Sequence, residues 1–278
     1  SYYNGDMSVP VLFSKVLSDK EISQLVAKGY TRNTDERILD WIPYADTRSL
    51  LAWSDGNYEF ATSDGIKREV KVEKTGSPVM INQKWEVSFP KGLGAPEKIS
   101  LPKLFSLHRH ENEGVKYFSG TATYKTNFVV KPSMMSEDRV VFLDLGAVEV
   151  MAEVIVNGVN KGIFWSRPYL IDVTDVLKPG ENTLEIKVTN QWTNRLIGDE
   201  QLPEENEYVP GGGVNGIAAL SRGAIRKLPD WYRNGVNKPE GGRVAFTTWK
   251  HYRKDSPLIE SGLIGPVRLI PAKKIEFE

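Results

Sequence analysis

Cysteine is absent from all 278 residues. Its absence removes disulfides, thiolate zinc sites, iron–sulfur clusters and cysteine nucleophiles together. Histidine is scarce, with three in the chain, so a histidine-rich catalytic metal site is not expected. Net charge is also lacking, because 36 Lys and Arg balance 36 Asp and Glu. A protein that grips nucleic acid by neutralising phosphates needs a basic face, and a polybasic membrane-surface protein needs the same. A balanced chain suits neither. No apolar run approaches the roughly 18 residues that a spanning helix requires. The chain opens at Ser1 without Met and without an apolar leader core. It is therefore expected to be a mature or excised piece of something longer, with a secreted or periplasmic origin allowed but not required by the missing cysteines.

What is present points to a folded, strand-rich protein. Hydrophobic residues make up 40% and charged residues 26%, enough apolar content to bury a core and too much for disorder. The length allows one large domain or two modest ones. Seven residues are tryptophan: Trp41, Trp53, Trp85, Trp165, Trp192, Trp231 and Trp249. Tryptophan at this density reports either a sandwich core or a stacking platform. The 24 Gly and 16 Pro fit many short strands joined by turns.

Residues 1–80 read as a small helix-plus-strand region. Ser18 and Glu21 form a capping box, Ile22, Leu25 and Val26 follow at helical spacing, and Gly29 ends the helix. Asp55-Gly56 and Asp64-Gly65 read as hairpin turns around Tyr58 and Phe60, and Thr75-Gly76-Ser77-Pro78 as a break. Residues 81–278 alternate at strand period. Trp85, Val87 and Phe89 share one face, as do Ala122, Tyr124 and Phe128 within Thr121 to Val130. Val140 to Leu145 is nearly all apolar, as in a central strand. Ala152, Val154 and Val156 run into Asn157-Gly158, a two-residue turn with positive φ at both positions. Leu184, Ile186 and Val188 form a one-sided strand, and Val267, Leu269, Ile275 and Phe277 a last one. A long loop insertion at about 190–250 is rich in Gly, Pro, Asn and charge, and such loops carry function on β scaffolds. The pattern predicts a mainly β fold with roughly 8–10 strands in the larger domain, hence a sandwich or jelly roll.

One stretch carries a family likeness. Phe118-Ser119-Gly120-Thr121-Ala122-Thr123-Tyr124 with Phe128, then Val154-Ile155-Val156-Asn157-Gly158, Gly162, Pro168-Tyr169, Asp172-Val173-Thr174 and Gly180-Glu181-Asn182-Thr183-Leu184, resembles the sugar-binding jelly-roll domain of family 2 glycoside hydrolases, a galactose-binding-like sandwich. Val188-Thr189-Asn190-Gln191-Trp192-Thr193-Asn194-Arg195-Leu196-Ile197-Gly198-Asp199-Glu200, with Leu228-Pro229-Asp230-Trp231 and Ser261 to Val267, resembles the C-terminal region of glycoside hydrolase family 106, the α-L-rhamnosidase-like enzymes. Together the likeness covers roughly residues 80 to 278. It implies that catalysis belongs to a separate barrel domain of a longer chain, with its own carboxylates and calcium. A barrel needs roughly 250 residues of alternating strand and helix, and this sequence has no such pattern. The implied partners are a plant-type oligosaccharide or polysaccharide and that catalytic barrel; nucleic acid and a membrane span are not expected.

The candidate site residues are those that suit a sugar. A saccharide presents apolar C–H faces and fixed hydroxyls, so it calls for an aromatic face beside planar donors and acceptors. Trp165, Arg167 and Tyr169 offer this on one connection; Trp192, Asn194, Arg195 and Asp199 offer it after the Val188 strand; Trp249, His251 and Tyr252 form a third group. Each has a plainer reading. Trp165 and Tyr169 suit closure of the sandwich core, with Pro168 fixing the turn, and Asp199 suits an ion pair with Arg195 that orders the loop. Asp199-Glu200 and Glu204-Glu205 lie in that loop, and such neighbouring acids are usually solvated loop charges rather than a catalytic pair. His108 and His110 with Glu111 suit a metal only if they share a strand face, and a charged loop is the simpler reading. Gly211 to Gly216 fits G-x-G-x-x-G but follows Pro210 in a polar stretch, so no dinucleotide is expected. No cofactor is expected; structural calcium on loop oxygens is left open.

Overall fold

The computed structural model describes residues 39–41, 49–61, 67–209, 223–239 and 241–276, all within the unit that spans residues 38–278. The helix expected at Ser18 to Gly29, the Asp64-Gly65 turn and the Gly211 to Gly216 loop lie outside the described residues.

The strands in chain order are β1 (Leu39–Trp41), β2 (Ser49–Ala52), β3 (Gly56–Ala61), β4 (Lys67–Val72), β5 (Val79–Met80), β6 (Trp85–Ser88), β7 (Lys98–Leu101) and β8 (Thr121–Val130). They continue with β9 (Arg139–Asp144), β10 (Ala147–Glu149), β11 (Met151–Val156), β12 (Val159–Phe164), β13 (Leu170–Asp172), β14 (Gly180–Thr189), β15 (Gly262–Gly265) and β16 (Arg268–Glu276). Short helices are α1 (Glu113–Lys116), α2 (Thr193–Asp199) and α3 (Asp230–Arg233).

Two antiparallel sheets make the sandwich. One runs β12-β11-β14-β8-β6-β7; the other runs β1-β2-β16-β9-β13, with β5 also on β16. The alternation read from the sequence dictates which residues face inward. Along β8 the side chains of Ala122, Tyr124, Thr126, Phe128 and Val130 are buried while Lys125, Asn127 and Val129 are exposed. β14 does the same with Leu184, Ile186 and Val188, paired residue for residue with β8 from Thr189↔Thr121 to Gly180↔Val130. From the other sheet Val141, Leu143, Ile171 and Leu269 meet them in one continuous core. The fold is thus the mainly β sandwich that the patterning predicts.

The turn chemistry divides. Asn157 and Gly158 both adopt positive φ, 50° and 83°, and close the β11–β12 hairpin as expected. Asp55-Gly56, in contrast, is no hairpin turn: β2 pairs in the sandwich and β3 pairs with β4 in a separate ribbon. Asp55 instead accepts the backbone N–H of Lys74 and Thr75, at 3.1 and 2.8 Å. Strands before residue 80 extend the sandwich, since both β2 and β5 bond to β16. Among the described residues no helix is long and apolar enough to cross a membrane.

Candidate functional site

The loop system begins where β14 ends, and its exit is anchored. Asn190 donates through Nδ2 to the Phe118 carbonyl and accepts the Gly120 N–H, and the Ser119 hydroxyl donates to the Gln191 carbonyl at 2.7 Å. The chain then enters α2. Asn194 clamps residue 259 reciprocally, donating to the Ile259 carbonyl at 2.8 Å and accepting the Ile259 N–H at 2.9 Å. Arg195 Nε lies 3.0 Å from Asp199 Oδ1, the i,i+4 ion pair that the spacing suggested, although the N–H is not aligned as a hydrogen bond. Asp199 also accepts the backbone N–H groups of Val244 and Ala245, at 3.0 and 2.7 Å. Gly198 is needed in the middle of this helix, because a Cβ there would come within 2.6 Å of Tyr117 and of the Arg195 guanidinium.

Asn194, Arg195 and Asp199 are therefore all buried, and their polar groups hold the loop together. Asn194 and Asp199 spend their polar groups on the backbone of Ile259, Val244 and Ala245, and the Arg195 guanidinium faces the Asp199 carboxylate.

The returning loop is organised by Arg243, which no motif in the chain marks out. Its side chain is buried. Its Nη1 meets Glu200 at 2.6 Å and Glu204 at 3.1 Å, and its Nε donates to the Pro203 carbonyl. Its backbone N–H donates to Glu205 Oε1 at 2.6 Å. Lys238 pairs with Glu205 at 2.8 Å, and Lys250 pairs with Glu204. Asp199, Glu200, Glu204 and Glu205 are thus each tied to a cation. Burial pushes the Glu205 carboxyl up, but the Lys238 hydrogen bond, the Arg243 N–H and both positive charges outweigh it, so it lies below its ordinary value of 4.5. A glycosidase general acid requires the opposite shift.

That shift sets a pH dependence. A carboxyl held below its unfolded value stabilises the fold at pH above that value and loses this contribution as pH falls through its folded value. The expected result is a urea midpoint that falls below about pH 4.5, with Glu205→Gln flattening the fall. Urea titrations at pH 7, 5 and 3 on both proteins check it.

Beside this network lies a narrow polar cleft lined by Asp199, Glu200, Tyr208, Arg243, His251 and Tyr252. The Tyr252 hydroxyl is 3.3 Å from that of Thr193, which places Tyr252 against the start of α2. Trp192 is half exposed and His251 exposed. Trp249 is half-buried on a backbone bridge to Ala224. The second and third candidate groups therefore meet. The first group splits: Tyr169 is buried with its hydroxyl donating to the Val150 carbonyl, whereas Trp165 is 73% exposed and Arg167 pairs with Glu149 at 2.8 Å. The sandwich core is closed by Tyr169 without Trp165.

His108 and His110 sit in and just after a 3-10 turn, not on a strand face. His108 Nδ1 is 2.6 Å from the Ser106 hydroxyl, and His110 Nδ1 accepts the Asn112 N–H. Among the described residues no group of three His, Asp or Glu is placed to hold a metal ion.

Residues 102–232 match the family described as glycosyl hydrolase 2 galactose-binding domain-like. A protein of Formosa agariphila named as a beta-glucuronidase is 40% identical over 214 residues, which are 77% of this chain and 17% of that protein. The structure of a rhamnosidase from Novosphingobium sp. PP1Y matches 92% of this chain with a TM-score of 0.55 and 27% identity, over 26% of its own length. The chain thus spans about a sixth of the length of the first of these and about a quarter of the second. The sandwich is of the galactose-binding-like kind found with glycosyl hydrolases.

Proposed function

We propose that this chain is the non-catalytic, carbohydrate-holding sandwich portion of a secreted or periplasmic glycoside hydrolase that resembles the α-L-rhamnosidases of family 106 and acts on polysaccharide. The supporting observation is the state of the loop after β14. Its acids Asp199, Glu200, Glu204 and Glu205 are engaged by Arg195, Arg243, Lys238 and Lys250. What the loop offers a ligand is aromatic and hydroxyl-bearing: Tyr252 and His251 at the cleft, and the exposed Trp192 at the start of α2. In this reading Trp192 stacks on a sugar ring, and Asn194, Arg195 and Asp199 act from beneath by fixing the backbone. A catalytic barrel of the same longer chain supplies the chemistry.

Titration of the chain with rhamnose-containing and galactose-containing oligosaccharides, followed by tryptophan fluorescence, is the test. A saturable change is expected, weakened about tenfold in Trp192→Ala, which corresponds to roughly 1.4 kcal/mol of stacking. A flat response across both glycan sets would sink the proposal. An aryl-glycoside screen is expected to show no turnover; turnover that disappears in Glu200→Gln and Glu205→Gln would establish instead that the chain hydrolyses glycosides itself.

A further inference from the structure

We infer that the outer face of the β12-β11-β14-β8 sheet is a second saccharide surface, separate from the cleft, which takes an uncharged oligosaccharide with one ring against Trp165. The inference rests on the carbohydrate-binding reading and assigns it a further site and a substrate class.

The placement follows from register. Ala152 pairs with Phe164, and both pack inward on the core. Met151, one step back along β11, has outward parity; Trp165 directly follows the end of β12, and both are exposed. Met151 pairs in turn with Thr189, and Thr189 with Thr121, their hydroxyls 2.8 Å apart. This rung of β11, β14 and β8 thus carries a thioether and two hydroxyls, with the Trp165 indole just after the end of β12. The neighbouring rung carries Ile163, Glu153, Lys187 and Thr123. Three inter-strand spacings make such a rung roughly 14 Å long, longer than a single sugar ring.

Charge selects the ligand. Three cations of this face have a carboxylate each: Arg167 with Glu149 at 2.8 Å, Lys187 with Glu153 at 3.1 Å, and Lys125 with Glu185 at 2.8 Å. Glu153 also accepts from the Asn160 amide at 2.7 Å. Around these pairs the surface is dense in donors and acceptors, and these three cations are committed. A uronate needs an uncommitted cation; a neutral polyhydroxyl chain needs what is present. A protein partner fits less well, because interface centres are depleted in charged residues and here Glu–Lys pairs occupy the middle of the face.

Isothermal titration calorimetry of the chain with a neutral galactan and with polygalacturonate tests this. Binding of the galactan is expected, weakened about tenfold in Trp165→Ala, largely retained in Trp165→Phe, and still detectable in Trp192→Ala. Because Trp165 lies mostly in solvent, both substitutions should leave the melting temperature unchanged. Equal affinity in Trp165→Ala and the parent chain, or tighter binding of polygalacturonate, overturns the inference. Loss confined to Trp192→Ala overturns it as well and leaves the cleft reading standing. Absence of binding to any glycan by the parent chain overturns both.

Discussion

Arg243→Met is expected to cost about 3–5 kcal/mol of stability, the range for removing one partner of a buried ion pair. Met has a comparable length and packs where the arginine stem packs, so the loss reports the guanidinium. That group touches Glu200, Glu204 and the Pro203 and Leu202 carbonyls. Its removal leaves the Glu200 carboxylate facing a gap and two carbonyls without their donor. Arg243→Lys should recover only part of the loss, because one ammonium cannot repeat the fork. Urea denaturation gives the global figure. Limited proteolysis should show new cleavage within residues 199–209 and 241–250 before the sandwich opens. A change below about 1 kcal/mol would mean that the loop acids are held from solvent rather than by this side chain.

The second large effect is expected at Gly262, where β15 begins. Its φ is +86°, and an added Cβ would fall against the Tyr124 hydroxyl and 2.9 Å from Leu107 Cγ. Tyr124 is fully buried, and its hydroxyl accepts the Leu263 N–H at 3.2 Å; burial drives its ionisation far above the usual tyrosine range. Neither neighbour has room to retreat. Overpacking of about 1–3 kcal/mol adds to roughly 1–2 kcal/mol for a side chain in the left-handed region, so Gly262→Ala should lose about 3 kcal/mol or more. Thermal and urea unfolding measure this. In a double-mutant cycle Tyr124→Phe should return part of the loss by removing the oxygen that the new methyl meets. Strict additivity of the two would show that the clash is relieved elsewhere.

The strands were legible because a sandwich writes its two faces into the chain. Thr121 to Val130 alternates for ten residues, and each buried position expected there is buried. Asn157-Gly158 was legible because its two positive φ angles are a local demand. Asp55-Gly56 carries the same local signal and misleads, since the strands on either side join different sheets and the Asp carboxylate serves a backbone nearly twenty residues away. Within the site the Arg195–Asp199 pair was readable from its helical spacing. Arg243 was not: its partners lie about forty residues upstream, and nothing in a loop's composition records which cation folds back on which acid. Trp165 shows a subtler failure. Bulk and sandwich context argued for burial, but strand parity argues against it, because Phe164 already occupies the inward position and Ile163 shares the outward one.

β16 lies between β2 and β5 on one side and β9 on the other, so the last described strand is central to its sheet rather than an edge. This has a consequence for biogenesis. As the chain emerges during synthesis, β2, β5 and β9 wait without their shared neighbour until residues 268–276 have been made. Pairings between distant parts of a chain are slow to form, and strands left unpaired meanwhile are exposed to association with other chains. A nascent chain halted just before Arg268 would carry a sheet split down its middle. β16 thus acts as the closing stitch of its sheet, the strand whose synthesis joins β2 and β5 to β9.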